Sequence, residues 1–188
     1  MVARPDVRPP RSRPVLAWAL LAGAAVTVAV AVYARVHHPA LRPLFLAGFS
    51  GMLQLKTWLA TAALLFVVVQ LGTALWIWER LPGAGPAPRA LPVVHRWSGA
   101  VAFVLTLPVA LHCVWSLGLA TTSPRVLVHG LAGSAFYGAY TAKMLGLRLR
   151  GMPGWALPVL GGTCFALFLL VWLTSALWFF TRSGLPLT

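Results

Sequence analysis

Three histidines, His95, His112 and His129, stand inside long apolar runs of a 188-residue chain. An imidazole can ligate a metal through either ring nitrogen or carry a proton near neutrality, and an ionisable group at membrane depth is functional by default. The other two, His37 and His38, sit in the stretch RVHHP just past the first apolar run and read as solvated interfacial residues. Little else in the chain has catalytic chemistry. The only acidic residues are Asp6 and Glu79, both outside the apolar runs, so carboxylate proton relays and acidic cation sites have no candidates. Cys113 and Cys164 form no CxxC or CxxxC pair and imply neither a disulfide nor a zinc site. No Ser, His and Asp set, phosphate-cradling loop or paired-carboxylate motif occurs.

The elements that position these histidines follow from composition. With 60% hydrophobic and 9% charged residues, the chain cannot present an ordinary aqueous surface. A hydrocarbon core about 30 Å thick needs about 20 helical residues to cross it. Segments 15–34, 57–78, 97–120, 126–147 and 155–180 meet that length. The expected fold is therefore all-α: an integral membrane bundle of five transmembrane helices over residues 15–181, between a basic tail of residues 1–14 and a short C-terminal tail of residues 182–188. The fourth segment is the weakest, because Lys143 interrupts its final turn, although a lysine so near a helix end snorkels to the interface. A further run, 44–53, is too short to span and is expected to lie in the interface or re-enter.

Basic residues near helix ends are retained on the cytoplasmic side. With the N-terminus inside, ten of the fifteen Lys and Arg are cytoplasmic, and Arg35, Arg42, Lys56, Arg125 and Arg182 are outside. The tail RPDVRPPRSRP is too rich in Pro and Arg to bury a core and reads as a disordered cytoplasmic extension. Ala29 and Ala31 offer a small-residue cleavage pattern, but the first apolar run is longer than a signal core and reads as an uncleaved anchor. Anionic headgroups explain the net charge of +13 more simply than nucleic acid does, since no base-reading module accompanies it.

Depth is the informative quantity for His112 and His129. At 1.5 Å per residue they lie roughly 12 Å and roughly 6 Å from the outer ends of the third and fourth segments. Modest tilt brings them level. Two neutral imidazoles from adjacent antiparallel helices at similar depth can be the axial ligands of a haem iron, a cofactor that fills a helical-bundle interior. Gly133, four residues after His129, leaves room on the ligand's face for a flat macrocycle. Arg125 and Lys56, at the outer interface, can pair with its propionates. Pro108, four residues before His112, is expected to bend the third helix. Each also has an ordinary explanation, because glycine, proline and interfacial cations are common in membrane helices. His95 has Gly99 on its own face but stands 17 residues, roughly 25 Å of helix, from His112. It belongs to a different site: a quinone contact, an interfacial hydrogen bond, or a His and Met pair with Met144.

These residues carry a resemblance. HRWSG opening a membrane helix, with His112 further along it and His129 in the next helix, resembles the haem-bearing helices of cytochrome b561-type and ferric-reductase-type membrane proteins over residues 95–133. The resemblance implies a b-type haem and electron transfer across or at the surface of a membrane. Those families commonly hold two haems on four histidines, whereas this chain offers three at depth.

The endings TALWIW and SALWFF are alike, but interfacial aromatic belts predict both without a duplication. Gln70 and the stretch KTWLAT can line a cofactor or quinone pocket, though polar residues in membrane helices more often bond a neighbouring helix. Three function classes follow. The first is a small membrane cytochrome with one haem b near the outer face on His112 and His129, carrying electrons between a quinol or other donor and a partner protein. The second is a non-catalytic accessory or assembly subunit of a larger membrane complex. The third, a transporter, is weakest for lack of acidic residues and of an inverted repeat. Ala, Arg, Gly and Pro enrichment suggests a bacterial cytoplasmic membrane.

Overall fold

The computed structural model describes residues 12–185, and these are all-α and loop, with no strand among them. The helices are α1 (Ser12–Val36), α2 (Met52–Ile77), α3 (Leu91–Leu111), α4 (Pro124–Arg148), α5 (Ala156–Trp172) and α6 (Trp178–Ser183). Two wider, π-helical turns extend them: His112–Leu117 continues α3, and Leu173–Leu177 joins α5 to α6 into one rod. Four helical stretches, Pro14–Val36, Met52–Ile77, Leu91–Leu117 and Ala156–Ser183, are long and apolar enough to cross a membrane. This is a membrane protein by the length and apolarity of its helices.

α4 is as long as the others but less apolar, and its position explains why. It packs between α1 and α5, and its buried positions are mostly small: Ala132, Ser134, Gly138, Ala142 and Gly146. Gly138 meets Gly23 of α1 backbone to backbone; a Cβ on Gly23 would stand 2.5 Å from the Gly138 carbonyl oxygen. Close approach of this kind is how membrane helices gain packing without hydrophobic drive. α2 pairs with α3 and also touches α5. Ala63, Phe136, Cys164 and Phe168 form a mid-bundle core shared by α2, α4 and α5.

Several helix boundaries differ from the hydropathy pattern. α1 begins at Ser12, three residues before the expected start at residue 15, because a proline such as Pro14 is tolerated in a first turn. Residues 1–11 of that tail, and 186–188 of the C-terminal one, lie outside the described residues. α2 starts at Met52, so Leu53 belongs to it and not to a re-entrant run. α3 starts at Leu91 and its rod ends at Leu117, which places His95 a full turn inside the helix. Hydropathy marks where side chains are apolar, whereas backbone hydrogen bonding carries a helix past that limit.

The loop between α1 and α2 is built into the bundle. The wide turn after Leu111 leaves carbonyls without helical partners. Ala40 and Leu41 N–H groups donate to Trp115 and Ser116 at 3.2 and 3.0 Å, and Leu119 N–H donates to Ala34 at 2.7 Å. Leu41 holds a positive φ of 52°, a strained conformation that its bond to Ser116 offsets. Gly118, at φ 67°, ends the turn against Ala34 and Pro39, where a side chain would not fit.

Candidate functional site

At the end of the bundle where α1 and α3 finish and α2 and α4 begin, all the long helices line one cavity of about 390 Å³. Its polar wall is Lys56 of α2, Cys113 of the wide turn, and Arg125 and His129 of α4. His129 is oriented by α5. Thr174 spends its hydroxyl proton on Leu170, at 2.7 Å, so it can only accept from the His129 ring, as does the Val171 carbonyl. Nδ1–H therefore points to these two acceptors, each at 3.3 Å, and the Nε2 lone pair faces the Cys113 sulfur at 4.0 Å. Lys56 lines the same cavity as this sulfur. Arg125 donates to the Thr174 carbonyl at 2.5 Å and lies over the Trp178 ring at 3.8 Å, so the second wide turn also shapes the wall.

The floor is aromatic. Phe136, Tyr137, Phe168 and Trp172 line it, and their polar atoms are already bound. Tyr137 donates to Thr106 at 3.0 Å, and Trp172 Nε1–H to the Thr61 hydroxyl at 3.0 Å. That leaves ring faces for a guest. A Cβ on Gly133 would meet nothing within 4 Å, so this glycine opens onto the space. An apolar groove between α1 and α3 borders the cavity; Val30, Ala110, Val114 and Tyr137 line both. Tyr33, Leu107 and Leu111 at the groove's outer edge are exposed on the bundle's flank, where lipid chains would lie.

His112 is not part of this wall. Its ring is 0% exposed and sealed beneath the α1–α2 loop. Nδ1–H donates to Pro108 at 2.8 Å, and Nε2 accepts from Leu44 N–H at 3.2 Å. The Phe45 ring packs edge-on against it at 4.9 Å. Nε2 also lies 3.1 Å from the Phe45 carbonyl oxygen, so both ring nitrogens have partners within the protein. As the two axial ligands of one haem, His112 and His129 do not fit in this arrangement, because Cys113 and not His112 is turned toward His129. Successive residues on a helix point about 100° apart, and the sequence spacing alone does not fix which of the two faces α4.

His95 lies at the opposite end and lines neither cavity nor groove. Its Nδ1–H donates to Thr73 at 2.8 Å, and Gln70 donates to Ser98 at 2.7 Å and to the His95 carbonyl, knotting α2 to α3. Gly99 makes room for the Gln70 amide and not for a cofactor. His37 donates to the Trp115 carbonyl at 3.1 Å and stacks between Tyr33 and Trp115, so it too holds the loop. Among the described residues, no three His, Cys, Asp or Glu side chains gather as metal ligands. The sequence reading missed Cys113, for which a lone thiol in an apolar run gives no signal.

The signature of a family of unknown function, DUF6529, matches residues 16–187, which include the whole cavity wall. The chain belongs to the DUF6529 family. No curated protein and no solved structure matches this DUF6529 chain. The cavity of this family member is thus read from its own residues.

Proposed function

We propose that this chain is a membrane electron-transfer component that binds a tailed quinone in the cavity of its outer half. In this reading α4 crosses the bilayer with the four more apolar helices, the N-terminus is inside, and the membrane is the bacterial cytoplasmic one. The observation that carries the proposal is the apolar groove that borders the polar-walled cavity. A polar wall over an aromatic floor suits a flat ring with carbonyl oxygens, and the apolar groove between α1 and α3 gives its tail a way out to lipid. Lys56 and Arg125 supply the positive charge that favours an electron-rich head, while His129 and Cys113 supply exchangeable protons.

The test is titration of the detergent-purified full chain with a decyl-tailed, fully ring-substituted benzoquinone, read by quenching of tryptophan fluorescence. Saturable quenching that weakens at least about 10-fold in Lys56→Met and His129→Gln is expected, a change of about 1.4 kcal/mol. Linear, unsaturable quenching overturns the proposal. Haem b on His129 is a second reading, supported by the same open imidazole beside Lys56 and Arg125, with a ligand other than His112 opposite. Sharp reduced α and β bands in the visible spectrum, lost in His129→Gln, would replace the quinone reading with it. Purification only as a fixed complex, without bound quinone or haem, would favour the accessory-subunit role.

A further inference from the structure

Cys113 and His129 approach each other from the wide turn of α3 and from α4, inside the space assigned above to a ligand. The imidazole's other nitrogen is committed to α5, so Nε2 is a base facing a thiol. Lys56 lines the same cavity wall. Cys164, by contrast, is buried in the mid-bundle core against Phe136 and Phe168, away from the cavity wall. The two thiols therefore have different chemistry.

We propose that Cys113 is a nucleophile that adds covalently to a quinone held in the cavity, with His129 as its base and Lys56 as its charge partner. This rests on the quinone reading and extends it from binding to bond formation. The thiol proton passes to His129 Nε2. The sulfur pair forms a bond to a ring carbon that carries hydrogen and lies next to a carbonyl. The ring's π pair moves to the oxygen of the conjugated carbonyl across the ring, which takes the proton back from His129, and the proton left on the ring carbon moves to the nearer carbonyl oxygen. One thiol and one quinone become one thioether-substituted hydroquinone, with no other oxidant or reductant. Lys56 donates to the carbonyl oxygen as charge gathers there.

The test treats the full chain in detergent with equimolar 2-methyl-1,4-naphthoquinone, which has one free ring carbon next to a carbonyl, and follows intact mass and peptide maps. A single adduct at Cys113 is expected, absent in Cys113→Ser and unchanged in Cys164→Ala. Loss of a positioned base costs about 10²-fold or more, so His129→Gln, with its melting temperature checked, slows the adduct by that order. Prior saturation with the fully substituted quinone blocks it. An adduct on Cys164, no adduct, or a His129→Gln rate equal to wild type in a folded variant overturns the proposal. Saturable binding of the substituted quinone without any adduct overturns only this step and leaves the binding reading standing. An adduct that saturation does not block is ordinary thiol reactivity and overturns both.

Discussion

His112 and Cys113 are neighbours in one turn, yet they face opposite fates. One side of that turn is covered by the α1–α2 loop, which binds the His112 ring through Leu44 and Phe45 and leaves it 0% exposed. The other side opens on a cavity, where Cys113 meets His129. The covered side is structural, with both ring nitrogens partnered inside the protein. The open side has a thiol, a base and two cations arranged around empty space. Residue type is thus a poor guide to role in this turn: the histidine holds a loop, and the cysteine faces the cavity.

The sharpest way to break that contrast is His112→Ala. Removing the ring strands Leu44 N–H and leaves a void beneath Phe45, so a loss of about 3 kcal/mol is expected, read as a lower melting temperature in detergent and faster proteolysis of the 37–51 loop. A normal melt with lost quinone binding would instead place His112 on the ligand side. Next in size, Gly133→Leu fills the open side without touching the covered one. Quinone affinity should fall at least about 10-fold, or about 1.4 kcal/mol, at an unchanged melting temperature. At the far end of the bundle, His95→Ala frees Thr73 from its bond and should cost about 1 kcal/mol with no change in quinone affinity. Smallest is Ser116→Ala. Its hydroxyl is buried without a partner, so its removal should leave stability equal or raise it by up to about 1 kcal/mol, by thermal melting.

Much of the fold was legible in the order of apolar runs. All five expected spans fall on observed helical rods, because a run of about 20 apolar residues has few other ways to satisfy its backbone. The weakness of the fourth was also legible, but its cause was not. Lys143 was blamed, whereas the small and polar residues that lower its apolarity are those packed against α1 and α5. α3 continues through Pro108, where a bend is expected, and widens four residues later, and the Pro108 carbonyl holds His112. The default reading of Gln70 as a bond to a neighbouring helix is what the α2–α3 knot displays. Of the candidate site, His129, Arg125, Lys56 and Gly133 do share one cavity, while His112 and His95 do not.

By itself the sequence determined the apolar character of the chain and the number of long helices, since these depend on composition and on a fixed rise per residue. Tertiary structure alone decided which way each ring points. Rotation about a helix axis is set by what packs on either side, here a loop that binds the carbonyls of a widened turn and a fifth helix that fixes one imidazole nitrogen. Hydropathy is blind to both, because a loop of mixed polarity and a π-helical turn leave no periodic trace in the residues.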